Sequence, residues 1–169
     1  MTGELSNELG NELSVDGEDG QNELKDERQV RILLVDDQAF NLICLENLIE
    51  SSFANSVIET ALNGQIALDK VIENDKEGTT FDIIFMDINM PVMDGNESSR
   101  LINKEFREGR LSSKPFISAI TAYTSEEMKR KSINCGMQKF LTKPAQFDRV
   151  FALISDVLNE KENQDRRNS

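Results

Sequence analysis

The 169-residue chain reads as a doubly wound α/β domain, a five-stranded parallel sheet of order 2-1-3-4-5 with five helices, preceded by a disordered acidic arm. Three observations predict it. From Gln29 onward, short continuously apolar, β-branched runs alternate with amphipathic stretches, the pattern of strands covered by helices on both faces. Polar residues able to do chemistry stand at the carboxyl ends of those runs, where open α/β sheets place ligands. The acid is also unevenly placed: residues 1–28 carry nine Asp or Glu against Lys25 and Arg28, a net of −7, which leaves −5 for the other 141 residues.

The predicted strands are residues 30–35, 81–86 and 116–120, with weaker ones at 56–60 and 139–141. Helices are predicted over 39–51, 64–73, 96–108, 125–133 and 146–159. In the first, core spacing is satisfied by Asn41, Cys44, Leu45 and Leu48. Asp94 with Glu97 starts the third in a loose capping box, and Thr124 with Glu127 starts the fourth. Phe147, Val150, Phe151, Ile154, Val157 and Leu158 recur at helical spacing in the last. The organisation is therefore an arm over 1–28, a domain over 29–160 and a polar tail over 161–169. In the arm the triplet Asn-Glu-Leu recurs at 7–9, 11–13 and 22–24, with no aromatic or isoleucine to nucleate a core. Leu5, Leu9 and Leu13 can line one face of a transient helix for a partner, although a solvated tail is the plainer reading.

Composition removes several classes of function. With 31 acidic against 19 basic side chains, a net charge of −12, the chain is not expected to bind nucleic acid or an anionic membrane. The absence of histidine excludes His-based triads, His-Glu-His zinc helices and any phosphohistidine on this chain. Cys44 and Cys135 lack pairing or metal-ligand spacing and read as small reduced packing residues. There is no apolar run of the 18 or so residues needed to span a bilayer, and no signal-peptide pattern at the start. A soluble protein of a reducing, cytoplasmic compartment is expected.

Asp36 and Asp37 follow the first strand, Asp87 the third, Thr121 the fourth and Lys143 the fifth. Singly, each has a plain explanation: a paired Asp often caps the next helix, a Thr can sit in a turn, a Lys can be solvated. In the predicted order, however, strands 1, 3, 4 and 5 are neighbours, so three carboxylates, a hydroxyl and an ammonium converge on one crevice. Three adjacent carboxylates repel unless one is protonated or a cation sits among them. Mg²⁺ suits such a hard oxygen site and commonly completes its shell with phosphate oxygens. Three Asp, one Mg²⁺ and one Lys sum to zero charge. A phosphoryl group arriving at Asp87 would find metal, ammonium and hydroxyl around it, the parts of phosphoryl transfer to an Asp nucleophile.

Val35-Asp36-Asp37, the run from Met86 to Gly95 (MDINMPVMDG), Thr121-Ala122 and Lys143-Pro144 resemble the signature of the receiver domain of two-component response regulators. The resemblance covers residues 29–160, and the start at Asp37–Asn41 and the long run from Gly95 to Thr121 are most similar to receivers of hybrid sensor kinases. It implies a flavodoxin-like, receiver-type fold. It also implies a phosphorylation-controlled switch that takes a phosphoryl group from the phosphohistidine of a histidine kinase or histidine phosphotransfer protein. Asp87 matches the phosphoacceptor, Asp37 a direct ligand of Mg²⁺ (or Mn²⁺) and Asp36 a ligand that usually acts through water. Asn89 matches the position whose backbone carbonyl completes the metal shell. Thr121 and Lys143 match the pair that binds the phosphoryl group, Lys143-Pro144 being usually cis, and a small Ala122 leaves its path open. Phe140 takes the switch position whose ring turns inward as Thr121 moves; the alternative is a permanently buried ring. Asn89 and Tyr123 match positions that tune acyl-phosphate hydrolysis, and a bulky Tyr123 is expected to slow it. The first helix matches the surface that meets the phosphodonor, so Ala39, Leu42 and Ile43 are candidate docking residues, with packing against neighbouring loops as the alternative.

Two other functions share these residues. An aspartate-nucleophile phosphohydrolase also uses Asp, Lys, Thr and Mg²⁺ but usually has a second Asp two residues after the nucleophile, where this chain has Asn89. A receiver-like binding module without phosphorylation usually loses an acidic residue or the Lys. No effector segment is recognised, so a stand-alone regulator, a relay intermediate and a piece of a hybrid kinase remain open.

Overall fold

The computed structural model describes residues 29–122 and 125–168. Ten elements alternate along them: β1 (Val30–Val35), α1 (Ala39–Glu50), β2 (Ser56–Ala61), α2 (Gly64–Lys76), β3 (Ile83–Asp87), α3 (Gly95–Arg107), β4 (Phe116–Thr121), α4 (Glu126–Asn134), β5 (Lys139–Thr142) and α5 (Phe147–Asn168). The strands pair in parallel in the order β2-β1-β3-β4-β5, as the crossover rule predicts.

The continuous apolar runs divide by a period of two. Leu33 and Val35 of β1, Ile84 and Met86 of β3, and Ile117 and Ala119 of β4 face a core completed by Ala67 and Val71 of α2 and Ile102 of α3. Their neighbours Ile32, Leu34, Ile83, Phe85 and Ile120 face a second core completed by Leu42, Leu45 and Ile49 of α1 and by Val150, Leu153, Ile154 and Val157 of α5. A strand buried on both faces thus needs no polar alternation. Each fully buried aliphatic side chain contributes about 1.5–3 kcal/mol, so these strands are held hard and their ends are well defined.

Local chemistry sets the helix starts. Asn63 accepts the Ile66 N–H ahead of α2, and Asp94 accepts the Glu97 N–H at 2.8 Å ahead of α3, as its sequence predicts. For α4 the cap is Ser125, which accepts the Met128 N–H; Thr124, the expected cap, lies outside the described residues. The inward stripe of α1 differs from the expected one. It is Leu42, Leu45 and Ile49, with Leu48 partly buried and Cys44 exposed. The helix begins at Ala39 as predicted, but the face it turns to the sheet and α5 carries Leu42, Leu45 and Ile49, which leaves Cys44 outside. Cys44 is therefore not a packing residue.

Two of the shifted boundaries share one reason. β3 begins at Ile83 instead of residue 81, because the Arg31 N–H is taken at 2.9 Å by the Asp82 carboxylate. α5 runs past residue 159 to Asn168, through the polar stretch read as a tail, and Lys161 reaches back at 2.9 Å to the other oxygen of that same buried carboxylate. Removing a charged partner from a mostly buried carboxylate costs about 1.5–3 kcal/mol. Lys161→Ala should therefore lower stability by about that much in urea unfolding. An unchanged midpoint would mean that the second half of α5 contributes nothing to the domain.

Candidate functional site

All of the strands run the same way, so their carboxyl ends share one rim. Asp36 and Asp37 leave β1, Asp87 is the last residue of β3, Thr121 the last of β4, and Lys143 follows β5. Asp36, Asp37 and Asp87 each bring a carboxylate oxygen within 4.8 Å of the others. Lys143 Nζ lies 2.6 Å from Asp36 Oδ2 and 2.9 Å from Asp87 Oδ2. Thr121 is buried, and its carbonyl accepts the Lys143 N–H at 3.0 Å, which links the ends of β4 and β5. The Lys143-Pro144 peptide is cis.

The electrostatics follow from burial. Asp36 and Asp87 are 6% and 5% exposed. Burial holds the Asp87 carboxyl above its usual range, with the Lys143 hydrogen bond and charge pulling the other way and Asp36 adding repulsion. Burial also opposes the Lys143 charge, but its bonds to Asp36 and Asp87 outweigh this and raise its pKa. The ammonium is thus firmly cationic, yet one positive charge faces three carboxylates.

A close-packed collar holds Asp87. The Gly95 N–H donates to the Ile88 carbonyl at 2.9 Å, closing the loop of residues 89–94, and a Cβ at Gly95 would stand 2.1 Å from the Asp87 carbonyl oxygen. Gly64, which starts α2, donates to the Met93 carbonyl at 3.0 Å and accepts from Ser98 Oγ at 2.8 Å. Within the loop the Met93 N–H bonds the Pro91 carbonyl, and Val92 between them has φ 71°, a left-handed value that β-branched residues avoid. Such strain collects beside functional sites.

The remaining predicted residues are less tightly gathered. Asn89 is exposed at the start of the loop, Ala122 is exposed after β4, and Phe140 is partly buried against the α2/α3 core. Tyr123 lies outside the described residues. Of the docking candidates, Ala39 and Ile43 are exposed, but Leu42 is core at 6% exposure and offers nothing to a partner. Phe40 beside them is 75% exposed. Between α1 and the Lys143-Pro144-Ala145 segment lies a cavity of about 180 Å³, mostly apolar, with Asp36, Asn41 and Lys143 at its polar side.

The donor set suits a hard divalent cation: carboxylate oxygens alone, with no histidine in the chain and a single ammonium, which leaves two negative charges unbalanced. Asp36, Asp37 and Asp87 are the residues that would hold it. Sequence reasoning assigned Asn41 to the core, but its side-chain amide bonds both oxygens of Asp36 at 3.1 Å. An Asn five residues after an Asp was the available signal. The helix-cap reading of Asp36 does not hold: its Oδ1 accepts the N–H of Gln38, the residue before the first turn, at 2.9 Å, and α1 starts without a side-chain cap.

Comparison with known proteins agrees with this geometry. Residues 32–155 match the response regulator receiver domain family. The chain is 31% identical over 132 residues to the osmosensing histidine protein kinase SLN1 of Saccharomyces cerevisiae, covering 78% of this chain and only 10% of that protein. It is 35% identical over 128 residues to the chemotaxis protein CheY of Halobacterium salinarum, covering 76% of this chain and 96% of that one. Among solved structures, the receiver domain of the histidine kinase CKI1 from Arabidopsis thaliana, complexed with Mg²⁺ and BeF₃⁻, superposes with a TM-score of 0.67 at 28% identity, over 78% of this chain and 91% of that one. The co-crystal structure of the S. cerevisiae histidine phosphotransfer protein Ypd1 and the receiver domain of its downstream response regulator Ssk1 gives a TM-score of 0.61 at 29% identity, over 76% and 86%. The chain belongs to the response regulator receiver domain family and is a receiver domain of two-component signalling.

Because the Gly95 backbone packs directly on Asp87, Gly95→Ala should cost about 1–3 kcal/mol of stability through overpacking. Chemical denaturation against the wild type checks this, and a neutral result would show that the collar yields easily.

Proposed function

We propose that Asp87 is the phosphoacceptor, that Asp36, Asp37 and the Asn89 backbone carbonyl hold Mg²⁺ (or Mn²⁺) beside it, and that Lys143 and Thr121 receive the phosphoryl oxygens. The single observation that carries this is the meeting of three strand-end carboxylates with an ammonium 2.9 Å from Asp87. In the transfer an Asp87 carboxylate oxygen attacks phosphorus, the P–O bond forms as the P–N bond to the partner's imidazole breaks, and the nitrogen keeps the electron pair. The bound cation supplies charge neutralisation at the phosphoryl oxygens. Lys143, already drawn to Asp87, neutralises negative charge from the other side, and the Thr121 hydroxyl is a donor at the end of the neighbouring strand. The Mg²⁺ in the related CKI1 receiver supports this choice of cation.

The donor is a phosphohistidine on a histidine kinase or phosphotransfer protein, because this chain has no histidine of its own. The Ypd1–Ssk1 complex provides the precedent for such a pairing. Exposed Ala39, Phe40 and Ile43 on α1, one turn from Asp36 and Asp37, form the docking surface. Phe140 and Thr121 report phosphorylation by moving together, and Asn89 and Tyr123 set how long the acyl phosphate lasts. The output is a change in partner binding, so the chain acts as a switch, not as a phosphohydrolase. Asn89 stands where such an enzyme would carry its acid-base Asp. The free thiols Cys44 and Cys135 support a reducing, cytoplasmic location, and among the described residues no helix is long and apolar enough to cross a membrane.

Beryllofluoride with Mg²⁺ should shift NMR signals around the rim in the wild type and leave Asp87→Ala unchanged. Label from a phosphorylated histidine donor should follow the same pattern; an Asp87→Ala protein that is still labelled would remove Asp87 from its role. For docking, Phe40→Ala combined with Ile43→Ala should slow transfer from the protein donor by roughly tenfold or more, the effect of losing an aromatic hot spot. Labelling by a small acyl-phosphate donor should be untouched. Equal slowing with both donors would place the defect in the site and not in the docking surface.

A further inference from the structure

We propose that Asn41 is a positioning residue for the cation site, holding the Asp36 carboxylate in the orientation that the ion requires; the inference rests on the reading of Asp36, Asp37 and Asp87 as cation ligands. Asp36 is buried and has three donors around it. Gln38 N–H bonds Oδ1 at 2.9 Å, Lys143 Nζ bonds Oδ2 at 2.6 Å, and Asn41 Nδ2 is 3.1 Å from both oxygens. Equal distances place the amide nitrogen on the bisector of the carboxylate. Rotation about the terminal bond of an Asp side chain is soft and roughly two-fold, and a donor on the bisector stiffens it.

The three donors differ in what they are free to do. Lys143 is shared with Asp87, and its charge is needed wherever negative charge gathers at that carboxylate. Gln38 N–H restrains one oxygen only. Asn41 grips both, and its own place is set by the first turn of α1, where its N–H bonds the Gln38 carbonyl at 3.0 Å. The residue type also fits. A cationic side chain here would compete with the ion, and a carboxylate would add a fourth negative charge and donate nothing. A neutral amide orients the ligand without changing the charge of the site.

Mg²⁺ affinity, read by NMR titration of the full chain, tests this. Asn41→Ala should bind Mg²⁺ roughly tenfold more weakly than wild type, the usual scale for a group that orients a ligand. Asn41→Ser, whose hydroxyl is too short to span both oxygens, should show a similar loss and guards against a folding defect in the alanine variant. In an Asp36→Ala background, Asn41→Ala should cause no further loss, because the residue it acts through is gone. Wild-type affinity in both Asn41 variants would overturn the proposal, as would the same fold loss with and without Asp36, since that marks a general disturbance of α1. If the wild type itself does not bind Mg²⁺, the cation-site reading fails first and takes the proposal with it.

Discussion

Three carboxylates at one rim of the sheet share a single ammonium, and this charge imbalance is the constraint to which the rest of the structure answers. Asp36 and Asp87 are buried, and removing charged groups from water is costly unless they are paired and hydrogen-bonded. Lys143 bridges both, Gln38 and Asn41 donate to Asp36, and the site still falls short of neutrality. A protein tolerates such a deficit only where the surrounding scaffold is rigid enough to keep the groups from separating. Two apolar cores, one on each face of the sheet, provide that rigidity.

The opposite end of the sheet shows what a satisfied carboxylate looks like. Asp82 is as buried as Asp87, but its two oxygens accept the Arg31 N–H and the Lys161 ammonium, and nothing there is left to attract an ion. It ties β1, β3 and α5 together and is structural. The contrast lies in cationic charge per carboxylate, one ammonium for Asp82 against one shared at the other rim among three, not in burial. One rim of the sheet is closed electrostatically and the other keeps an excess of negative charge.

The loops at the open rim are built to approach one another closely. Gly64 and Gly95 let backbone pack on backbone around Asp87, and the turn through Pro91, Val92 and Met93 puts a β-branched residue at a strained φ on the surface beside them. Phe40 and Ile43 leave apolar side chains in water at the other side of the crevice. A protein that needed only stability would avoid both features. They are consistent with the docking surface proposed at this rim.

Much of this was legible in the chain itself. Continuous apolar runs broken by amphipathic stretches dictate a parallel sheet with helices on both faces, and strand-end placement alone aligned Asp36, Asp37, Asp87, Thr121 and Lys143. Periodicity of this kind depends on which residues are near in sequence, and side-chain patterning records that directly. What it could not give were choices settled by long-range contacts. The rotation of α1 that buries Leu42 and exposes Cys44 depends on how the helix packs against the sheet and α5. The extension of α5 through polar residues depends on a carboxylate 79 residues away, and the start of β3 on the same group. Asn41 reads as a core residue until Asp36 is seen to face it. Sequence determined which groups reach the rim, because strand and helix periods are local; tertiary structure decided which of them touch, because that depends on packing angles and burial that no local pattern encodes.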